Sequence, residues 1–208
     1  NVDTVLNGFT GISGFNVTIE NRNNEGIFSG SYVKGEKIYY RPTGMNVAHS
    51  DSFLFFVDHG SIFAQGSGTD YFTSNRNIFY SNYGYSEWNR SGKAILVAEE
   101  DVFTNIYGFG GTGEMSITSH KGNGIRFNIY GSKETNELSY NGTLSIDALN
   151  LGIACGDVLD ITGNCDIDIN SYEPCITASR LNLEGSGALN LYCGNDAAIK
   201  VFRTTTNI

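Results

Sequence analysis

Two adjoining segments constrain this chain more than any other feature: GTLSIDALNLGIACGDVLDITG from Gly142 and GNCDIDINSYEPCITASRLNLEG from Gly163. They share few identical residues. Each nevertheless runs Gly, alternating apolar positions, an interruption, a second alternating pair and Gly again. Laid over each other on the first Gly, Leu144 falls on Cys165, Ile146 on Ile167 and Ala148 on Ile169; matched from their ends, Leu159 falls on Leu181 and Ile161 on Leu183. A third copy, GSGALNLYCGNDAAIKVF from Gly185, places Gly187, Leu189 and Leu191 under the first set, and Ile199 and Val201 near the second. The same form recurs at a distance. GFNVTIENRNNEGIF from Gly14 matches GEMSITSHKGNGIRF from Gly113, with Val17 and Ile19 at the places of Met115 and Ile117.

Self-similarity at a period of twenty-odd residues is the signature of a solenoid, in which each unit buries its apolar face only against its neighbours. Alternation inside each copy makes the units strands. Two short strands per copy with Gly at the corners describe one coil of an all-β, right-handed parallel β-helix. Gly142, Gly163 and Gly185 then sit where the backbone needs positive φ or a close approach. At roughly 22 residues per coil, the chain, 1–208, is expected to form a single β-helix domain of about nine coils. The copies are clearest over 110–203 and blur over 30–110. There the alternative is a β-sandwich N-terminal part followed by a short β-helix. The composition agrees with strands and tight turns: 26 Gly, 2 Pro, 12 Tyr and 13 Phe in 208 residues.

A formal charge of −9 with 13 scattered Lys and Arg excludes nucleic acid as the expected partner, because phosphates are held by clustered cations. No apolar run is long enough for membrane insertion as a helix. The chain opens at Asn1, which fits a processed export or a piece of a larger multidomain surface protein. Cys155, Cys165, Cys175 and Cys193 show no C-x-x-C spacing, which argues against zinc. They are read as buried free thiols, with two disulfides as the alternative. The sequons at Asn16, Asn89 and Asn141 carry little weight in so Asn- and Ser-rich a chain.

In a β-helix the inward residues make structure, so function belongs on outward columns and insertions. One candidate is the aromatic stretch DYFTSNRNIFYSNYGYSEW, where Tyr71, Tyr80, Tyr83, Tyr85 and Trp88 stand among amides and hydroxyls. Flat rings with polar edges suit a sugar, which offers one apolar face and several hydroxyls. Tyr83-Gly84-Tyr85 reads as a loop, and GSKETNELSY after Tyr130 reads as an insertion that bulges from a coil. A second candidate is an outward column of Asp147, Asp168 and Asn190 with Asp166 beside it. Stacked carboxylates repel unless a cation joins them, and oxygen ligands suit Ca²⁺; the competing reading is a solvated face that discourages edge pairing. A third is Asp58-His59, at the end of the apolar run FLFFV, which could present an acid–base pair and is similar to the strand-ending Asp-His of pectate lyases. The rest of an enzyme is not assembled. Arg41-Pro42 is not followed by the Arg that a lyase pattern requires, no Gly-His-Gly is present, and Glu99, Glu100 and Asp101 point to different sides of a strand.

The segments GNGIRF, GTLSIDALNLGIACGDVLDITG and GNCDIDIN resemble secreted or cell-surface right-handed β-helix proteins of polysaccharide-degrading bacteria, the carbohydrate-binding domain proteins. Gly124-Ile125 and Gly152-Ile153 match that group's Gly-Ile step, and Pro174-Cys175 departs from it. The resemblance implies the pectate-lyase-like superfamily fold and a non-catalytic role in binding acidic plant polysaccharide with Ca²⁺. The expected function is therefore an extracellular polysaccharide-binding module. The alternatives are a polysaccharide lyase or glycoside hydrolase on a β-helix, and a structural or adhesive solenoid of a cell surface or phage fibre.

Overall fold

A computed structural model describes residues 6–9, 12–21, 25–30, 33–42, 45–50, 55–66, 69–128 and 135–202, with the side chains of 69–79, 84–89, 92–128 and 135–202. The strands are β1 (Leu6–Phe9), β2 (Ile12–Asn21), β3 (Glu25–Gly30), β4 (Val33–Pro42), β5 (Met45–Ser50), β6 (Phe55–Gly66), β7 (Thr69–Ser74), β8 (Phe79–Ala98) and β9 (Phe103–Ser119). They continue as β10 (Ile125–Phe127), β11 (Thr135–Ala148), β12 (Ile153–Ala154), β13 (Val158–Ser171), β14 (Ile176–Ala178), β15 (Arg180–Ser186), β16 (Leu189–Cys193) and β17 (Ile199–Val201).

Among the described residues every strand pairing is parallel, and each strand lies beside its counterpart one coil away. This is a parallel β-helix. The same parallel stacking runs through β2, β4, β6 and β8, where a β-sandwich was the alternative; a sandwich would need antiparallel ladders. A coil of the C-terminal half makes three passes: a short strand such as β10, a longer run such as 135–141, and a third run such as 142–148. Ile12 beside Val33 and Phe55 beside Phe79 put one circuit at 21 to 24 residues. The coil from Ile125 to Ile153 is longer, and its extra residues fall between Phe127 and Thr135. Thr135–Tyr140, read as insertion, are strand, and Asn136, Leu138 and Tyr140 are buried.

Alternation sets what is inside. Leu96, Ile117, Ile146, Ile169 and Leu191 stack in one inward column, and Phe103, Ile125, Ile153, Ile176 and Ile199 in another. Successive members are ~4.8 Å apart along the axis, and each fully buried Ile or Leu contributes about 1.5–3 kcal/mol. Toward residue 72 the core turns aromatic: Phe72–Trp88, Trp88–Phe103 and Phe103–Phe109 meet edge to face at 6.2, 6.0 and 4.9 Å, and Phe109 stacks on Tyr140 at 5.8 Å. All four cysteines are free, and only Cys193 is partly exposed. Burial pushes the Cys155 and Cys165 thiols up to about 11.

The corner between second and third passes is where the glycines act. Gly142, Gly163 and Gly185 have φ of 140°, 105° and 136°. A Cβ on Gly163 would overlap the Tyr140 carbonyl oxygen one coil back, and one on Gly185 the carbonyl oxygen of Gly163. The turn before the first pass is held by Asp101, whose buried carboxylate accepts from the Asn123 backbone and side-chain amides, each at 2.8 Å, and from Thr104 Oγ1 at 2.7 Å. Glu99 and Glu100 face outward and pair with Lys121 at 2.8 Å and Arg76 at 3.3 Å. That acidic triplet is turn structure.

One register differs from the sequence reading. Leu144 lies beside Ile167, not Cys165, and Ile146 beside Ile169. Gly142 is opposite Cys165 and Gly113. The later matches, Leu159 with Leu181 and Ile161 with Leu183, are as read.

Candidate functional site

The third passes make one wall of the solenoid. Their outward residues form columns across the coils, and their last residues turn a corner. Along that corner runs an open groove of about 770 Å³, spanning Thr118–His120, Asp147–Leu149, Asn170–Tyr172 and Leu191–Gly194.

Strand pleat and register build the groove. Thr118, Asp147, Asn170 and Tyr192 share one outward column, since each is paired with the next across parallel strands. The following residues, Ser119, Ala148, Ser171 and Cys193, turn inward and make the floor. One position further, His120, Leu149, Tyr172 and Gly194 leave the strands, their amides still donating to the carbonyls of Ala98, Ser119, Ala148 and Ser171 at 2.9 to 3.4 Å. Leu149, Tyr172 and Tyr192 are 51%, 54% and 64% exposed, so this corner presents apolar surface to solvent on three neighbouring coils. The same groove is lined by groups that can donate or accept: the Thr118 hydroxyl, the His120 imidazole, the Asn170 amide and the Asp147 carboxylate.

The carboxylates of this wall are not stacked on one another. Asp147 accepts from Asn170 Nδ2 at 3.3 Å, Asp168 from Asn190 Nδ2 at 2.6 Å, and Asp166 from the Ala188 amide at 2.8 Å. The column read as Asp147–Asp168–Asn190 is therefore two columns: Asp168 lies between Ser145 and Asn190, and Asp147 beside Asn170. Asp160 repeats the arrangement on the second pass, accepting from Asn182 Nδ2 at 2.6 Å. Each carboxylate meets a neutral donor one coil on, which removes the repulsion that a cation was invoked to relieve. Among the described residues no group of three His, Cys, Asp or Glu is placed to share a metal ion.

The aromatic stretch divides. Tyr71 is 42% exposed on the outward side of β7, opposite Ile95. Tyr85 also points outward, but within strand β8 and not in a loop; its ring lies across Gly108 and Gly110, which have no side chains to displace it, and packs against Tyr107 at 6.0 Å. Burial, with Glu137 and Glu87 adding to it, pushes its phenol up to about 12. Trp88 is in the core, wholly buried, with Nε1 donating to Ser86 Oγ at 2.8 Å. It is no sugar platform: Gly84, Ser86 and Trp88 share the inward parity of β8, and Tyr85, Glu87 and Asn89 the outward one. Tyr80 and Tyr83 belong to β8, and Asp58 and His59 to β6, but these four side chains lie outside the described residues.

The structure thus brings Asp147 to the groove and leaves Asp166, Asp168 and Tyr71 elsewhere on the same wall. Tyr172 and Tyr192 were not singled out from sequence. The signal was present: each is a tyrosine beside an inward small residue, Ser171 or Cys193, near the edge of a repeat unit. No protein-family model, curated protein or solved structure matches this chain.

Proposed function

We propose that this protein is a non-catalytic polysaccharide-binding module, acting at the cell surface or secreted, as the resemblance in its C-terminal half implies. The observation that carries the reading is the groove that exposed Leu149, Tyr172 and Tyr192 line together with Thr118, His120, Asp147 and Asn170. Rings at successive coils offer apolar faces to sugar rings, and the polar groups of the same groove offer partners for hydroxyls. The groove is open, as a site for a polymer must be, and is rooted in the paired strands of the third passes. A Ca²⁺ bridge to uronates is the alternative binding mode that the same test addresses. The aspartates named for it, Asp147, Asp166 and Asp168, already hold hydrogen bonds to Asn170, Ala188 and Asn190.

The test is a polysaccharide array and pull-down, with millimolar Ca²⁺ and with EDTA, scoring both retention and product release. Retention without products, lost in the Tyr172→Ala/Tyr192→Ala double variant, supports the module. Release of unsaturated or reducing ends would turn the reading toward a lyase or hydrolase. Silence across the array leaves a second reading, a structural or adhesive solenoid.

A further inference from the structure

We infer that the Tyr172–Tyr192 groove selects a glycan carrying protonated amines, that is, deacetylated amino sugars, over neutral or uronate chains. This rests on the polysaccharide-binding reading and specifies its ligand. A carboxylate set among aromatic faces is the chemistry that recognises an ammonium group: the rings attract the cation through their negative faces and the carboxylate accepts its hydrogens. Asp147 stands between Asn170 and Thr118 in the column that ends in Tyr192, and Tyr172 occupies the corner one coil along. Among the described residues Asp147 accepts from the Asn170 amide at 3.3 Å, a neutral donor that leaves further acceptor positions available.

The field of the wall points the same way. Asp166 and Asp168 face outward on neighbouring columns, and their partners are a backbone amide and an Asn amide, so their charges are retained. Among the described residues the lysines of the region are each matched by a carboxylate: Lys93 with Glu114 at 2.5 Å, Lys121 with Glu99 at 2.8 Å and Lys200 with Asp196 at 2.8 Å. With a chain charge of −9, a polyuronate meets repulsion at this wall and a polyamine attraction. The cavity of about 770 Å³ has room for more than one sugar unit.

The experiment measures binding of the intact chain to three probes: chitosan oligomers, their fully N-acetylated chitin counterparts, and polygalacturonate. Each is titrated by calorimetry at low and high salt, with and without EDTA. We expect chitosan to bind at least tenfold tighter than chitin, to weaken with salt, and to ignore EDTA. Asp147→Asn, which keeps the size and the contact with Asn170, should cut the chitosan preference at least fivefold and leave chitin unchanged. Tyr192→Ala should weaken both sugars. Glu184→Gln, exposed on the second pass, should change neither; a loss equal to that of Asp147→Asn would mean a diffuse charge effect and overturn the inference. Equal binding of chitosan and chitin, or preference for polygalacturonate, would also overturn it while leaving the polysaccharide-binding reading intact. Failure of all three probes and of the wider array would end both.

Discussion

Replacing Trp88 and Tyr192 by alanine should separate stability from binding. Trp88 is the chain's one tryptophan, fully buried against Phe72 and Phe103 with its indole N–H satisfied by Ser86. Truncating a buried aromatic of this size costs about 3–5 kcal/mol. The two edge-to-face contacts, each worth about 0.5–1.5 kcal/mol beyond area, place the loss toward the upper end. With an m-value of about 2 kcal/mol/M, the urea midpoint of Trp88→Ala should fall by about 2 M. Tyr192 is 64% exposed, and Tyr192→Ala should shift stability by less than about 0.5 kcal/mol while removing most polysaccharide binding. Far-UV circular dichroism follows unfolding in both variants. In the parent protein, tryptophan emission should be blue-shifted and unchanged by saturating glycan. If Trp88→Ala left the midpoint unmoved and abolished binding, the inward and outward assignment of β8 would be wrong by one residue, because a slip of one inverts every side chain of a strand.

Other outcomes follow from the same geometry. Gly163→Ala should destabilise by about 2–3 kcal/mol, since it combines a positive φ with overlap on the Tyr140 carbonyl; Gly194→Ala, where the nearest atom is the Tyr172 ring at 3.1 Å, should cost well under about 1 kcal/mol in the same denaturation assay. Alkylation at neutral pH, read by mass spectrometry, should modify Cys193 first and Cys155 and Cys165 only after unfolding, because burial holds those two as thiols up to about pH 11. Alkaline titration followed by phenolate absorbance should find a tyrosine ionising near 12 that vanishes in Tyr85→Phe. Its folded pKa lies above the ordinary value of 10.0, so Tyr85 lends stability that is full below pH 10 and is lost as pH rises through 12.

The coil itself was legible because its determinants are local. Corner glycines announce positive φ, and alternation announces which residues go in; Gly142, Gly163 and Gly185, and the pairs Leu159–Leu181 and Ile161–Leu183, are as the sequence implied. The match of Leu144 to Cys165 failed by two residues because alternation has a period of two. A shift of two keeps every apolar residue inside, so hydrophobic pattern cannot choose between the registers. Trp88 was misread because Gly84 and Ser86, the inward residues before it, are not hydrophobic and hide the parity of β8. The groove was illegible for a different reason: its rings come from separate coils, and Tyr172 stands next to Tyr192 only once the coil length is fixed.

That same two-residue ambiguity gives the Asp–Asn pairing a second meaning. Slid by two residues into the register that keeps the same residues inside, β11 and β13 would bring Asp147 directly over Asp168. In the register they adopt, Asp147 meets Asn170 and Asp168 meets Asn190. Like charges opposite one another are unfavourable, and an acid facing an amide is not. The solvent-facing side chains thus act as a proofreading strip for the interior, disfavouring a misthreading that the alternation of apolar residues alone does not distinguish. Exchanging Asp168 and Asn170, which alters neither composition nor core, would reverse which threading the strip rejects.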